Sequence, residues 1–257
     1  MDKLELLTPP VQAIIGGTLT WIITALGAMA VLIFKSINRR VMNCMLGAAA
    51  GVMTASSFWS LLQPAIDCSE AIYRFSWIVP TVGFLCGGTA LIICDKLFER
   101  LTRFSGSGRR CAMLIFSITL HNIPEGLAIG VAFASAGYVG GFIAACTLAV
   151  GIGIQNFPEG AAVSLPLRRE GMSRRRSFIM GILSGVVEPI SAFLGAILVS
   201  HVTNLMPFML SFASGAMIYV VASELIPESQ EDENGCFVSV ATLSGFAVMM
   251  MLDVALG

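Results

Sequence analysis

Two segments of the chain, HNIPEG at 121–126 and QNFPEG at 155–160, place an imidazole, amides and carboxylates inside otherwise apolar stretches. In each segment two polar side chains stand i, i+4 apart, His121 with Glu125 and Gln155 with Glu159. On a helix each such pair projects from one face. Asn122 and Asn156 follow one residue further round, where they can serve an adjacent position. Pro124 and Pro158 each remove a backbone N–H and disturb the bond to the carbonyl four residues back, at Leu120 and Ile154. Glu188, followed by Pro189, adds a third carboxylate, and Glu224 a fourth. Carboxylates, one imidazole and several amide oxygens suit a borderline divalent ion such as Zn²⁺, Fe²⁺ or Mn²⁺. No thiolate stands among them, and a site without one can release its metal.

The elements that must position these groups are legible in the composition. Of 257 residues 56% are hydrophobic and 12% charged, against about 25% charged in a soluble domain. The charges collect between apolar runs of roughly 20 residues, the length that crosses a ~30 Å hydrocarbon core. Eight spans follow, at 11–34, 41–63, 77–97, 111–135, 140–167, 176–200, 205–227 and 236–256. The expectation is an all-α polytopic membrane protein, eight transmembrane helices in a tight bundle, forming a single domain over 1–257. Pairs of small residues four apart, Gly47/Gly51, Gly83/Gly87, Gly126/Gly130 and Gly181/Gly185, let helices approach closely in lipid. A net charge of −1 gives no footprint for nucleic acid, no nucleotide-binding motif occurs, and the seven cysteines form no C-x-x-C pair. The opening MDKLELLTPP sets two acids against one lysine, a poor start for a cleaved signal, so the first run is read as a retained helix.

Orientation follows from lysine and arginine. With the N-terminus outside, thirteen of the fifteen basic residues fall in inner loops, leaving Lys3 and Arg74 outside. Both termini are then periplasmic or extracellular, in a plasma membrane or bacterial inner membrane, and the acidic cluster at 231–233 is cytoplasmic. Depth can be counted from the nearest inner arginine at ~1.5 Å per helical residue: ~22 Å for Glu125, ~13 Å for Glu159, ~18 Å for Glu188 and ~16 Å for His121. An ionisable group at mid-bilayer costs at least ~2.5 kcal/mol on insertion scales. Three bare carboxylates near that depth repel one another, and a divalent cation holds them ionised. Met53 lies at similar depth and offers one soft ligand. Each group also has a plainer reading: a lone intramembrane His or Glu as a helix contact, Met53 as core, and Met249–Met251 as packing or lipid-facing. Glu224 and Glu228 read either as exit-path groups or as interfacial charges, and Ser60 and Asp67 as a weak indication of an entrance.

At these residues the chain resembles the ZIP family of metal transporters, specifically its GufA-like branch. The likeness rests on GVMTASSFWSLLQPA, HNIPEG, QNFPEG, SGVVEPISA and GAMIYVVASELIPES, and covers nearly the whole chain. It implies eight helices, both termini outside, a metal path among helices two, four, five and seven, and a binuclear site. Carried over by position, His121, Gln155 and Met53 belong to one metal, Glu125 and Glu159 to both, and Asn122, Asn156 and Glu188 to the second. Two departures stand out. Many relatives have histidine where this chain has Gln155, though the GufA-like branch also has glutamine, and an amide oxygen holds Zn²⁺ more weakly than imidazole. The loop after the third span, histidine-rich in many relatives, contains no histidine here.

The expected function is a secondary transporter moving Zn²⁺, with Cd²⁺, Fe²⁺ and Mn²⁺ as further candidates, into the cytoplasm. No organic cofactor is expected; the partners are the divalent ions and the lipid bilayer, and a homodimer is left open. A metal-ion channel uses the same residues. An intramembrane metalloenzyme fits less well, because H-N-x-P-E lacks the second histidine of H-E-x-x-H and a catalytic metal needs an open water position.

Overall fold

A computed structural model of the protein describes residues 2–34, 38–101, 106–138, 141–230 and 235–256; Lys35, Arg103 and the acidic cluster at 231–233 lie outside them. The described residues are helical with no strand, and eight helices are long and apolar enough to cross a membrane. They are α1 (Pro9–Ile33), α2 (Arg39–Ile72), α3 (Ile78–Leu101), α4 (Cys111–Ser135), α5 (Gly141–Arg169), α6 (Arg174–His201), α7 (Met206–Ser229) and α8 (Gly235–Ala255). Local chemistry starts several of them. Pro9 and Pro10 occupy the first positions of α1, where no N–H is needed. Asn38 accepts a hydrogen bond from the Arg40 N–H ahead of α2, and Ser173 accepts one from the Arg176 N–H ahead of α6.

Seven spans match their expected limits to within a few residues, but α2 continues nine residues beyond 63. Ahead of Pro64 the helix widens into a π-helical stretch, Ser57–Leu62, and resumes as an α-helix at Gln63. The extra turns are amphipathic, burying Ala65, Cys68 and Ser69, and so escape a hydropathy reading. The same device recurs in α7, where Val221–Leu225 is π-helical just before Pro227. A wider turn makes room for a ring that has no N–H to donate. By contrast α4 and α5 run unbroken through Pro124 and Pro158. The interruption beside Pro189 falls three residues earlier, at Val186, between the segments Arg174–Gly185 and Val187–His201.

The packing divides the helices into two groups of four. In one, α1 lies along α5 and α6, and α4 along α6; in the other, α2 lies along α8 and α3 along α7. The groups meet chiefly where α2 touches α5 and α7 touches α4. Glycines set the closeness of every main pair. A methyl group on Gly27 or Gly160 would run into the backbone oxygen of Phe157 or Thr24, across the α1–α5 contact. Gly51 and Gly245 face Thr242 and Ala48 in the same reciprocal way, as do Gly87 and Gly215 with Phe212 and Phe84. Gly126 and Gly130 press on Glu188 and Ala192 of α6. Small residues at such crossings supply the van der Waals contact that lipid cannot outcompete.

Valine at Gly160 or Gly215 is therefore expected to force its helix pair apart and destabilise the fold by about 1–3 kcal/mol or more. Melting of the detergent-solubilised variants checks this. Gly108→Val, with open space around it, should melt like the parent.

Candidate metal centre

The polar groups of α4, α5 and α6 come together in the interior. His121, Asn122, Glu125, Gln155, Asn156, Glu159 and Glu188 are each at most 5% exposed. Their hydrogen bonds follow one rule: an amide gives its N–H to a neighbour and keeps its carbonyl oxygen free. Gln155 Nε2 donates to Glu125 Oε1 at 2.7 Å, and Asn156 Nδ2 donates to Glu188 Oε2 at 2.8 Å. Asn122 Nδ2 donates to the Ser184 carbonyl at 2.8 Å. Since an ionised carboxylate and a carbonyl only accept, these contacts determine which end of each amide points where.

Asn122 shows how the fold creates that orientation. Near the break at Val186, the Val186 N–H turns to Leu183 O, and side chains from other helices take the carbonyls on either side. Trp21 Nε1 of α1 donates to Ile182 O at 2.8 Å, and Asn122 takes Ser184 O. The Ser184 carbonyl, beside the break in α6, thus takes the Asn122 N–H and leaves Oδ1 without a partner.

What remains is a group of buried acceptors without partners: Asn122 Oδ1, Glu125 Oε2, Gln155 Oε1, Asn156 Oδ1 and both oxygens of Glu159. The charges of Glu125, Glu159 and Glu188 act on one another, and Glu159 also feels Glu224. A buried acceptor without a donor costs about 1–3 kcal/mol, more if charged, and several together point to a cation as the missing partner. Among the described residues no three His, Cys, Asp or Glu side chains gather into one metal shell. The set offers amide oxygens between the carboxylates instead, a mixed oxygen environment that binds a divalent ion less tightly than a cluster of thiolates or imidazoles.

Other expected residues sort clearly. Met53 is fully buried in the apolar core with Leu120, Leu148 and Met217. Glu224, on the π-helical stretch of α7, reaches into the protein: its Oε1 lies 3.0 Å from His121 Nε2, outside aligned hydrogen-bond geometry, and accepts from Ser117 Oγ at 2.6 Å. Glu228 is exposed. Ser60, on the other π-helical stretch, donates to Asp253 Oδ1 at 2.6 Å, and Gln63 Nε2 donates to Asp67 at 2.7 Å. These residues line a cavity of about 240 Å³ that also reaches Ser135. Met249 is core, as its plainer reading had it.

Four participants escaped the reading of the sequence. Asp253 is the lone acid of the last apolar run, and that isolation was its signal. Ser117 precedes His121 by four residues and so shares its face. Thr20 and Thr24 form an i, i+4 hydroxyl pair in α1, and Thr24 Oγ1 donates to Glu188 Oε1 at 3.1 Å.

A family model described as ZIP Zinc transporter matches residues 99–253. The chain is 37% identical to Zinc transporter ZIP11 of Xenopus tropicalis, in an alignment covering 97% of this chain and 98% of the relative. It is 33% identical to Zinc transporter GufA of Myxococcus xanthus, covering 96% and 98% of the two chains. With Zinc transporter ZIPB of Bordetella bronchiseptica it shares 35% identity over 95% of this chain and 81% of the relative.

If Gln155 weakens the centre's hold on zinc, Gln155→His should tighten Zn²⁺ binding relative to Mn²⁺ by about tenfold, since imidazole favours zinc and amide oxygen does not. Competition titrations of the two ions on purified protein measure the ratio.

Proposed function

The chain belongs to the ZIP family of transporters, and from that membership together with the buried acceptor set we propose that it carries Zn²⁺ through a binuclear midplane site into the cytoplasm. As a member of that family it is an integral membrane transporter and not an enzyme. The observation that carries the zinc reading is the group of unpartnered oxygens on α4 and α5, the amides among them turned oxygen-first by neighbouring acceptors that take their N–H groups. His121, Gln155 and Met53 serve one ion, Asn122, Asn156 and Glu188 the other, and Glu125 and Glu159 both. Glu224 lies beside His121 on the way to the inner face, and Ser60, Asp67 and Asp253 line the way in from outside. Cd²⁺, Fe²⁺ and Mn²⁺ are further candidate cargoes, since oxygen-rich shells discriminate weakly.

The site's division between helices favours a carrier. Its polar residues lie on α4, α5 and α6 of one helix group, while Met53 and Glu224 belong to the other. A movement of one group against the other exposes the same residues to each side in turn, as midplane sites in transporters commonly require. A channel with the same carboxylates would pass ions without saturation.

Reconstituted in liposomes, the protein should take up Zn²⁺ with saturable kinetics, and Glu125→Ala with Glu159→Ala should abolish it. Parent-like uptake by that double variant would overturn the reading. Metal and protons compete for the same oxygens, so lowering the outside pH should raise KM for Zn²⁺. For the orientation, an impermeant thiol reagent added outside a cysteine-free chain should label Lys3→Cys and not Arg175→Cys.

A further inference from the structure

From Pro9 to Ile33, α1 contains no ionisable side chain, yet it lies against both α5 and α6. Toward Glu188 it presents the pair Thr20 and Thr24, at 1% and 0% exposure. Thr24 Oγ1 stands 3.1 Å from Glu188 Oε1, while Asn156 Nδ2 stands 2.8 Å from Glu188 Oε2 and 3.5 Å from the Thr20 carbonyl. Each oxygen of Glu188 is therefore held by a different helix, one by α1 and the other by α5. The carboxylate's orientation depends on both.

The backbone arrangement that permits this is narrow. Gly160 of α5 lies directly under the Thr24 carbonyl oxygen, so any side chain there would push α1 away. A methyl on Gly185 would come within 2.8 Å of the Trp21 ring and 3.1 Å of Glu188 Oε1. Gly17 similarly lies against Pro189, where an added methyl would be 2.9 Å from its Cα. Trp21, three residues before Thr24, is anchored by its bond to Ile182 O. The separation of α1 from α6 is thus set by small residues and one indole, and it keeps the hydroxyl within reach of Glu188.

A buried threonine often does no more than bond back to its own helix, and Thr24 Oγ1 is indeed 3.2 Å from the Thr20 carbonyl. The hydroxyl has one proton and two acceptors within range. It can steady Glu188 Oε1, and it can turn to Thr20 when that oxygen gives its electron pair to a cation. Neither state leaves a donor unsatisfied.

We propose that Thr24 is a positioning residue for the second metal position, steadying Glu188 so that α1 shapes a site to which it supplies no ligand. This rests on the binuclear reading above. Groups that orient metal ligands are typically worth 10–100-fold in affinity. Thr24→Val keeps the side chain's shape and removes the hydroxyl, and Thr24→Ser keeps the hydroxyl and removes the methyl.

The test is calorimetric titration of parent, Thr24→Val and Thr24→Ser with Zn²⁺ in lipid nanodiscs, alongside metal-free melting. The parent should bind two equivalents. Thr24→Val should weaken one of them by about tenfold or more and leave the other within about twofold, while its metal-free melting still shows one cooperative transition, and Thr24→Ser should stay within about twofold of the parent at both. Should Thr24→Val fail to fold, Thr24→Ala against Thr24→Ser makes the same comparison. Parent-like binding without the hydroxyl, or equal loss with and without it, overturns the inference and leaves the binuclear reading standing. A parent that binds fewer than two equivalents removes the second position, and both fall together.

Discussion

A carboxylate deprived of water must be answered by donors or by a cation, and three of them together cannot all be answered by donors. Glu125, Glu159 and Glu188 are buried in the interior of a helical bundle, where like charges repel far more strongly than in water. The chain supplies Gln155 to one oxygen of Glu125, and Asn156 and Thr24 to Glu188, but nothing to Glu159. Every structural oddity nearby can be understood as serving that imbalance. The amides give away their N–H groups and keep their oxygens, and the break in α6 supplies a carbonyl that turns Asn122 the same way.

The helix pairs make the imbalance tolerable. Hydrocarbon does not drive helices together as water does, so close contact must come from shape. Reciprocal glycines on α1 and α5, α2 and α8, and α3 and α7 provide it, while on the α4–α6 contact α4 contributes Gly126 and Gly130. The polar centre is placed on the α1, α4, α5, α6 group and is met by Glu224 from across the division. The two π-helical stretches both belong to the other group and carry Ser60 and Glu224. Such stretches recur at functional sites because they turn a side chain out of the regular register.

Much of this was legible beforehand because the residues that matter violate the hydropathy of their surroundings. Glu125 and Glu159 are conspicuous in an apolar run, and i, i+4 spacing predicts a shared face for each with His121 and Gln155. Asp253 violates its surroundings as plainly, but it stands alone, and spacing says nothing about a partner on α2. Thr20 and Thr24 do not violate them at all, since a hydroxyl that can bond its own helix is unremarkable in an apolar segment. Their part depends on the distance between α1 and α6, which glycines on different helices determine jointly. The extension of α2 past 63 was hidden for another reason: its added turns are amphipathic, and hydropathy registers only apolar runs.

The reciprocal glycines also govern what kind of length change the chain can absorb. Adding or deleting one residue within a helix rotates everything beyond it by about 100°. Such a shift in α5 would move Gly160 from beneath the Thr24 carbonyl and bring a side chain there instead, and the partner glycine at Gly27 would lose its match at Phe157. Each pair is keyed at two points, so no compensating slide restores both. Insertions and deletions are consequently barred from the paired stretches and can accumulate only in the connections, so growth of the chain would occur at the membrane surfaces while its interior keeps a constant register.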